Sequence, residues 1–175
     1  MKNIVKIISC VLLIAMLTVS FAACGSSENG PKNNEGQTKK VFDVKKLAKD
    51  IAENCEFEDQ YLAAVEDPNF ILTLNNIEAG LVAEENGVKQ VANYVSSAYP
   101  EMVFVAKAVD DAAAEQIYLA MKKVITAYIE NYTNYGPEQV EKLNTAVART
   151  VGLYVIIAVT NNNTSAANYI DTVTK

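Results

Sequence analysis

The residues that could do acid–base, nucleophilic or metal chemistry form no recognised catalytic arrangement in this sequence. The chain contains no histidine, and histidine is the commonest metal ligand and a frequent general base in proteins. Ser-His-Asp and Cys-His mechanisms are therefore excluded, and no phosphate-binding glycine loop or C-x-x-C motif is present. The adjacent acids Glu84 and Glu85, and Asp110 and Asp111, would point about 100° apart on a helix. We predict no catalytic residue, no metal site and no cofactor.

Polar residues that flank an apolar strand are the candidate binding residues. Glu101 and Lys107 lie six positions apart around the apolar run 102–106, so side-chain alternation places them on one face of a strand. A salt bridge or a position at the rim of the sheet is the other interpretation. Four tyrosines could line a sugar or peptide groove, although tyrosine is also common at the edge of a core: Tyr94, Tyr99, Tyr135 and Tyr154. We predict a ligand or partner surface on the exposed side of the sheet, with Glu101, Lys107 and Tyr154 as its candidates.

The thiol of Cys24 stands where a lipid anchor would be attached. Basic residues near the start are followed by the uncharged run 7–23, and Phe21-Ala22-Ala23-Cys24 is similar to a bacterial lipobox. An uncleaved membrane span is the alternative. The run is at the short end of the roughly 17–25 residues that a span needs, which favours the signal peptide. We predict a lipoprotein signal peptide at 1–23, lipidation of Cys24, and anchoring at the extracytoplasmic face of the cell membrane.

A change of composition marks the start of the folded domain. Residues 24–40 are polar and rich in Gly, Asn and Ser, which predicts a flexible linker. Residues 41–175 have the size of one domain with one core and contain a single cysteine, Cys55, so no intramolecular disulfide can form in them. Lys and Arg occur at ten positions of this domain and Asp and Glu at nineteen. The resulting net charge of −9 argues against nucleic acid as a partner.

The charges are distributed unevenly along the domain. Lysines cluster at 39–49, and only acidic charges follow between 50 and 67. One interpretation is a basic region near lipid headgroups with an acidic surface facing away. The other is a solvated helix face and an exposed loop, which is the usual meaning of a charge run.

Hydrophobic periodicity predicts an α+β fold. A first helix is expected over 42–54, strands over 91–99 and 102–109, a long helix from Asp110 to about Tyr132, and a hairpin about Gly152. The segment 91–96 also fits the end of a longer helix, and 57–87 gives no clear element. Because both faces of 102–109 are largely apolar, this strand is predicted to be central. We expect a single domain with an antiparallel sheet of about four strands and helices packed mainly on one face, ending in a helix capped by Asn163 or Thr164.

Three motifs in a fixed order carry a family resemblance. PEMVFVAKAVD (100–110) is followed by a long amphipathic helix, then YGPEQVEKL (135–143), then VGLYVIIAVT (151–160). This order resembles the Firmicute lipoprotein family described as domain of unknown function 4358. The resemblance covers most of 41–175 and the leader, and it implies no activity and no catalytic residues.

Two classes of function are compatible with these observations. The first is a non-enzymatic binding module of the cell envelope that contacts a partner protein, a wall polymer or a small ligand. The second is a carboxylate-dependent envelope hydrolase acting on wall glycan, which would need two carboxyl groups roughly 5–10 Å apart across a cleft. The absence of a nucleophile beside a base favours the first class.

Lipidation of Cys24 can be tested directly. We expect Cys24→Ala to leave the precursor unprocessed or to release the domain from the membrane, because the thioether can no longer form. Incorporation of radiolabelled palmitate measures this, and equal labelling of wild type and variant contradicts it.

Overall fold

The run 102–107 becomes the middle strand of the sheet, as its apolar character on both faces predicts. The computed structural model describes residues 40–175, and Met102–Lys107 pairs with a strand on either side. The predicted signal peptide, Cys24 and the predicted linker up to residue 39 lie outside the described residues.

The described residues form five α-helices and two antiparallel sheets. The helices are α1 (Val44–Asn54), α2 (Pro68–Leu74), α3 (Asp111–Tyr135), α4 (Val140–Asn144) and α5 (Asn163–Thr174), with short 3-10 turns at Ala79–Leu81 and Pro137–Gln139. The strands are β1 (Ala63–Val65), β2 (Glu84–Glu85), β3 (Val88–Lys89), β4 (Val91–Val95), β5 (Met102–Lys107), β6 (Val147–Val151) and β7 (Tyr154–Val159). The main sheet has the order β1-β4-β5-β7-β6 with every pair antiparallel, and β2 and β3 form a separate hairpin. None of the helices within 40–175 combines the length and apolarity needed to cross a bilayer.

Helices cover both faces of the sheet and create two apolar layers. On one face Phe104 and Ile157 pack under α2 and α3, with Ile117 of α3 fully buried. On the other face Val105 and Ile156 pack under α1 and α5. The fold class, a single α+β domain with an antiparallel sheet, is confirmed. The expectation of helices mainly on one face is wrong, because a strand that is apolar on both sides needs cover on both, and the main sheet has five strands rather than about four.

Local signals explain most element boundaries. The carboxylate of Asp110 accepts a hydrogen bond from the N–H of Ala113 at 2.7 Å and begins α3. Gly152 adopts the left-handed backbone (φ 55°) that the β6–β7 hairpin requires. The last helix is capped by Asn162, one residue earlier than expected. The predicted strand 91–99 ends at Val95.

The segment without a clear sequence pattern contains an edge strand and a short helix. Asp67 caps α2 and Pro68 occupies its first turn, where proline needs no hydrogen-bond partner. Asn86 and Gly87 both have positive φ, the conformation of a tight turn between antiparallel strands. The bounds of these short elements are set by individual capping and turn residues, and not by a hydrophobic periodicity.

The buried stripe of α3 gives a test of the core. A fragment of residues 41–175 should fold as a soluble monomer. The substitution Ile125→Asp should unfold it, because Ile125 is 3% exposed. An unpaired charge at this position costs several kcal/mol, and the total stability of a domain is about 5–15 kcal/mol. Leu119→Asp on the same helix is the control, since Leu119 is 49% exposed. Thermal melting measures both, and an unchanged melt for Ile125→Asp contradicts the assignment.

Candidate functional site

Two of the three predicted binding residues lie side by side, and the third lies at the opposite end of the strand. Lys107 and Tyr154 are paired across β5 and β7, whereas Glu101 precedes β5, about 20 Å away along the strand. The buried hydroxyl of Tyr154 accepts a hydrogen bond from the N–H of Phe42 at 3.1 Å, and the ammonium of Lys107 lies 2.6 Å from Glu85. The structure does not bring the three together, and helices cover both faces of the described sheet, where an exposed face was expected.

Glu101 is the centre of a buried hydrogen-bond network. Its side chain is fully enclosed, and the N–H of Glu58 donates to both carboxylate oxygens at 2.9 and 3.0 Å. The N–H of Asp59 donates at 3.0 Å, and the ammonium of Lys142 donates at 2.8 Å. Lys142 also donates to the carboxylate of Glu58 at 2.9 Å, and the amide nitrogen of Gln139 donates to it at 3.3 Å. We call Glu58, Glu101, Gln139 and Lys142 the Lys142 network.

The balance of charges in the Lys142 network keeps its ammonium protonated. Burial lowers the pKa of Lys142, but hydrogen bonds and Coulombic attraction to Glu101 and Glu58 together outweigh burial and leave the pKa above the ordinary 10.5. The hydrogen bond from Lys142, followed by that from Gln139, holds the pKa of Glu58 below its ordinary 4.5. The ring of Tyr99 lies 5.5 Å from the ammonium and adds a cation–π contact. Glu58 and Lys142 are therefore both charged at neutral pH.

The Lys142 network positions the chain rather than facing a substrate. Glycan hydrolysis needs two carboxyl groups that reach the substrate from either side of a cleft. Glu58 and Glu101 do converge, but on one ammonium, and Glu101 has no exposed side-chain surface. Because Glu101 accepts the N–H groups of Glu58 and Asp59, it fastens this loop to the start of β5.

The fastened loop forms one wall of an open cleft at the edge of the sheet. The cleft lies between the second half of α1, the segment 57–62 and β4, and has a volume of about 560 Å³, which is within the usual range for ligand sites. We call it the edge cleft. Its side chains with strong hydrogen-bonding groups are Lys49, Glu53, Asp59, Gln60, Tyr61 and Tyr94.

Two side chains of the edge cleft, Cys55 and Asp59, have shifted pKa values that make them poor catalytic groups. Burial raises the pKa of the Cys55 thiol to about 11, and since the thiolate is the nucleophilic form, Cys55 is unreactive at neutral pH. The hydroxyl of Ser96 donates to Asp59 at 2.6 Å and is the main cause that holds the pKa of Asp59 below its ordinary 3.8. Asp59 is therefore an ionised acceptor and not a proton donor.

The four predicted groove tyrosines lie in separate places. Tyr94 lines the edge cleft, Tyr99 lies against Lys142, Tyr154 is buried, and Tyr135 is 73% exposed at the end of α3. Sequence reasoning missed Tyr61, which is 82% exposed in the edge cleft. Its position inside the acidic run 50–67 was the available signal.

Five antiparallel strands between two helical layers, with a cleft at one edge, define an α+β domain. A family model described as Domain of unknown function (DUF4358) matches residues 75–160. The match confirms the resemblance to this domain family over residues 75–160. The Firmicute and lipoprotein parts of that prediction remain predictions. No curated protein and no solved structure matches the chain. Within 40–175 no group of three or more Cys, Asp or Glu side chains could hold a metal ion.

The buried ion pair gives a second test. We expect Lys142→Met to lower the free energy of unfolding by about 3–5 kcal/mol, because Glu101 is left buried without a counter-ion. The double variant Lys142→Met/Glu101→Gln should recover part of this loss, because the buried charge is also removed. Urea denaturation measures this, with Lys122→Met on the exposed side of α3 as control.

The same pair sets a pH dependence. Because the folded pKa of Lys142 is raised above 10.5, its contribution is complete below that pH and is lost as the pH rises through the folded value. The difference between wild type and Lys142→Met should therefore shrink in strong alkali. Equal stability of the two proteins at pH 7 shows that the pair contributes nothing.

Proposed function

We propose that this chain is a non-enzymatic binding module, held by a lipid on Cys24 at the outer face of the cytoplasmic membrane, and that the edge cleft is its contact site. The observation that carries the proposal is the lining of the cleft, which combines aromatic rings with charged and amide groups on a wall fixed by Glu101.

The lining is suited to holding an envelope partner, a wall polymer or a small ligand. The rings of Tyr61 and Tyr94 offer apolar faces and hydroxyl groups together, a combination that is common where one partner covers another. Lys49 and Glu53 lie 3.5 Å apart on the opposite wall, so the cleft presents donors and acceptors at once. Because Glu101 holds the wall formed by the fastened loop in place, less conformational entropy is lost when a ligand binds.

The lining is poorly suited to hydrolysis. A hydrolase acting on wall glycan, the alternative function, needs one carboxyl group that is protonated near neutral pH. Asp59 has a lowered pKa, and Glu101 is enclosed. Neither Asp59 nor Glu101 can therefore serve as that acid, and binding is the better-supported function.

Site-specific crosslinking in the intact envelope tests the proposal. A photoreactive phenylalanine analogue replacing Tyr61 should capture a partner or polymer, because this side chain is 82% exposed in the edge cleft. The same analogue replacing Tyr135, which is 73% exposed on α3, is the matched control and should capture much less.

Two results would overturn the proposal. Equal capture at positions 61 and 135 shows that the edge cleft is not a contact site. Turnover of wall glycan by the purified chain, abolished by Asp59→Asn or Glu53→Gln with an unchanged melt, shows that the hydrolase function is correct.

A further inference from the structure

The strand β1 leaves one edge of the main sheet open. Ala63, Ala64 and Val65 pair with β4 on one side, and β1 has no neighbour on the other side among the described residues. The backbone N–H and C=O groups along such an edge can pair with another chain. Ala63 and Ala64 are exposed and carry no charge that would repel an incoming strand.

The opposite edge of the sheet is protected. The edge strand β6 carries Arg149, whose side chain is exposed and lies 3.4 Å from Asp171 of α5. A charged side chain on an edge strand disfavours pairing with another chain. The two edges of the main sheet within the described residues therefore differ, and β1 is the one without a charged side chain in the strand.

Exposed apolar side chains flank β1. Tyr61, 82% exposed, precedes the strand, and on α2 the residues Phe70 and Leu74 are 55% and 52% exposed. Phe70 and Leu74 are four residues apart, so they lie on the same face of the helix. A strand laid against β1 would place alternate side chains toward the edge cleft on one face of the sheet and toward α2 on the other.

The chain segment that contains this edge carries only negative charges. Residues 50–88 contain ten acidic residues and no Lys or Arg. Glu56, Glu66 and Glu78 are exposed and make no ion pair within 40–175. Complementary charge on the partner would steer its approach and fix its register.

We propose that the edge of β1 binds an extended segment of a partner protein in which basic residues alternate with apolar ones. The segment adds a sixth strand to the sheet, with its basic side chains toward Glu53 and Asp59 of the edge cleft and its apolar side chains toward Phe70 and Leu74. This inference rests on the proposed function and specifies the partner as a basic peptide segment rather than a glycan or a small ligand.

A blocked octapeptide of alternating Lys and Val is the probe. Fluorescence anisotropy with the full-length chain in non-ionic detergent should show binding at least tenfold tighter than for the matching Glu-Val peptide. Glu56→Lys and Glu66→Lys should each weaken binding severalfold, and Glu130→Lys, an exposed site on α3, should leave it unchanged.

Backbone methylation separates strand addition from simple charge attraction. Two further peptides carry N-methyl groups on the odd or on the even residues, so that only one of them blocks the amides that face β1. Strand addition predicts that the two differ in affinity by at least tenfold. Equal affinities, or no binding of the Lys-Val peptide, overturn the inference. If the Lys-Val peptide fails while position 61 still crosslinks to wall glycan, the proposed function stands and only the peptide partner is wrong.

Discussion

The burial of β5 on both faces is the constraint on which the rest of the domain depends. Val103 and Val105 face one side and Phe104 and Ala106 the other, and all four are fully enclosed. Neither helical layer alone could remove this strand from water. The domain therefore assembles α1 and α5 on one face and α2 and α3 on the other, and the outer strands β1 and β6 each pair on one side only.

At the start of β5 an ionic contact replaces apolar burial. Enclosing Glu101 costs free energy that its hydrogen bonds to Lys142 and to two backbone N–H groups must offset. Replacing a buried ion pair with apolar side chains often stabilises a protein. The contribution of Glu101 and Lys142 is therefore to position the loop at Glu58 and Asp59 rather than to add stability. A carboxylate that accepts two successive N–H groups fixes the path of the loop at Glu58 and Asp59, and this loop becomes the wall of the edge cleft.

The sequence pattern predicted the elements whose burial repeats regularly and missed the contacts made between distant segments. The stripe of α3, the first helix and the strand β5 all have side chains that recur with the period of their element. The three residues of β1 are too few to show a period. Glu101 was singled out by its place beside an apolar strand, but its partners lie more than forty residues away in either direction, and no local pattern connects them. The acidic run was open to a solvated interpretation because charge alone does not show which residues line a cleft.

The layer over one face of the sheet is made from segments far apart along the chain. The apolar stripe of α1 has its partners Val103 and Val105 on β5, and α5 completes the layer with Ala166 and Ile170. Contacts of such long sequence separation form slowly, because the entropy of closing large loops is lost before burial compensates for it. During synthesis, which begins at the N-terminus, α1 emerges before any surface that can cover it. Its stripe stays exposed to water, to chaperones or to other unfolded chains until α5 has followed.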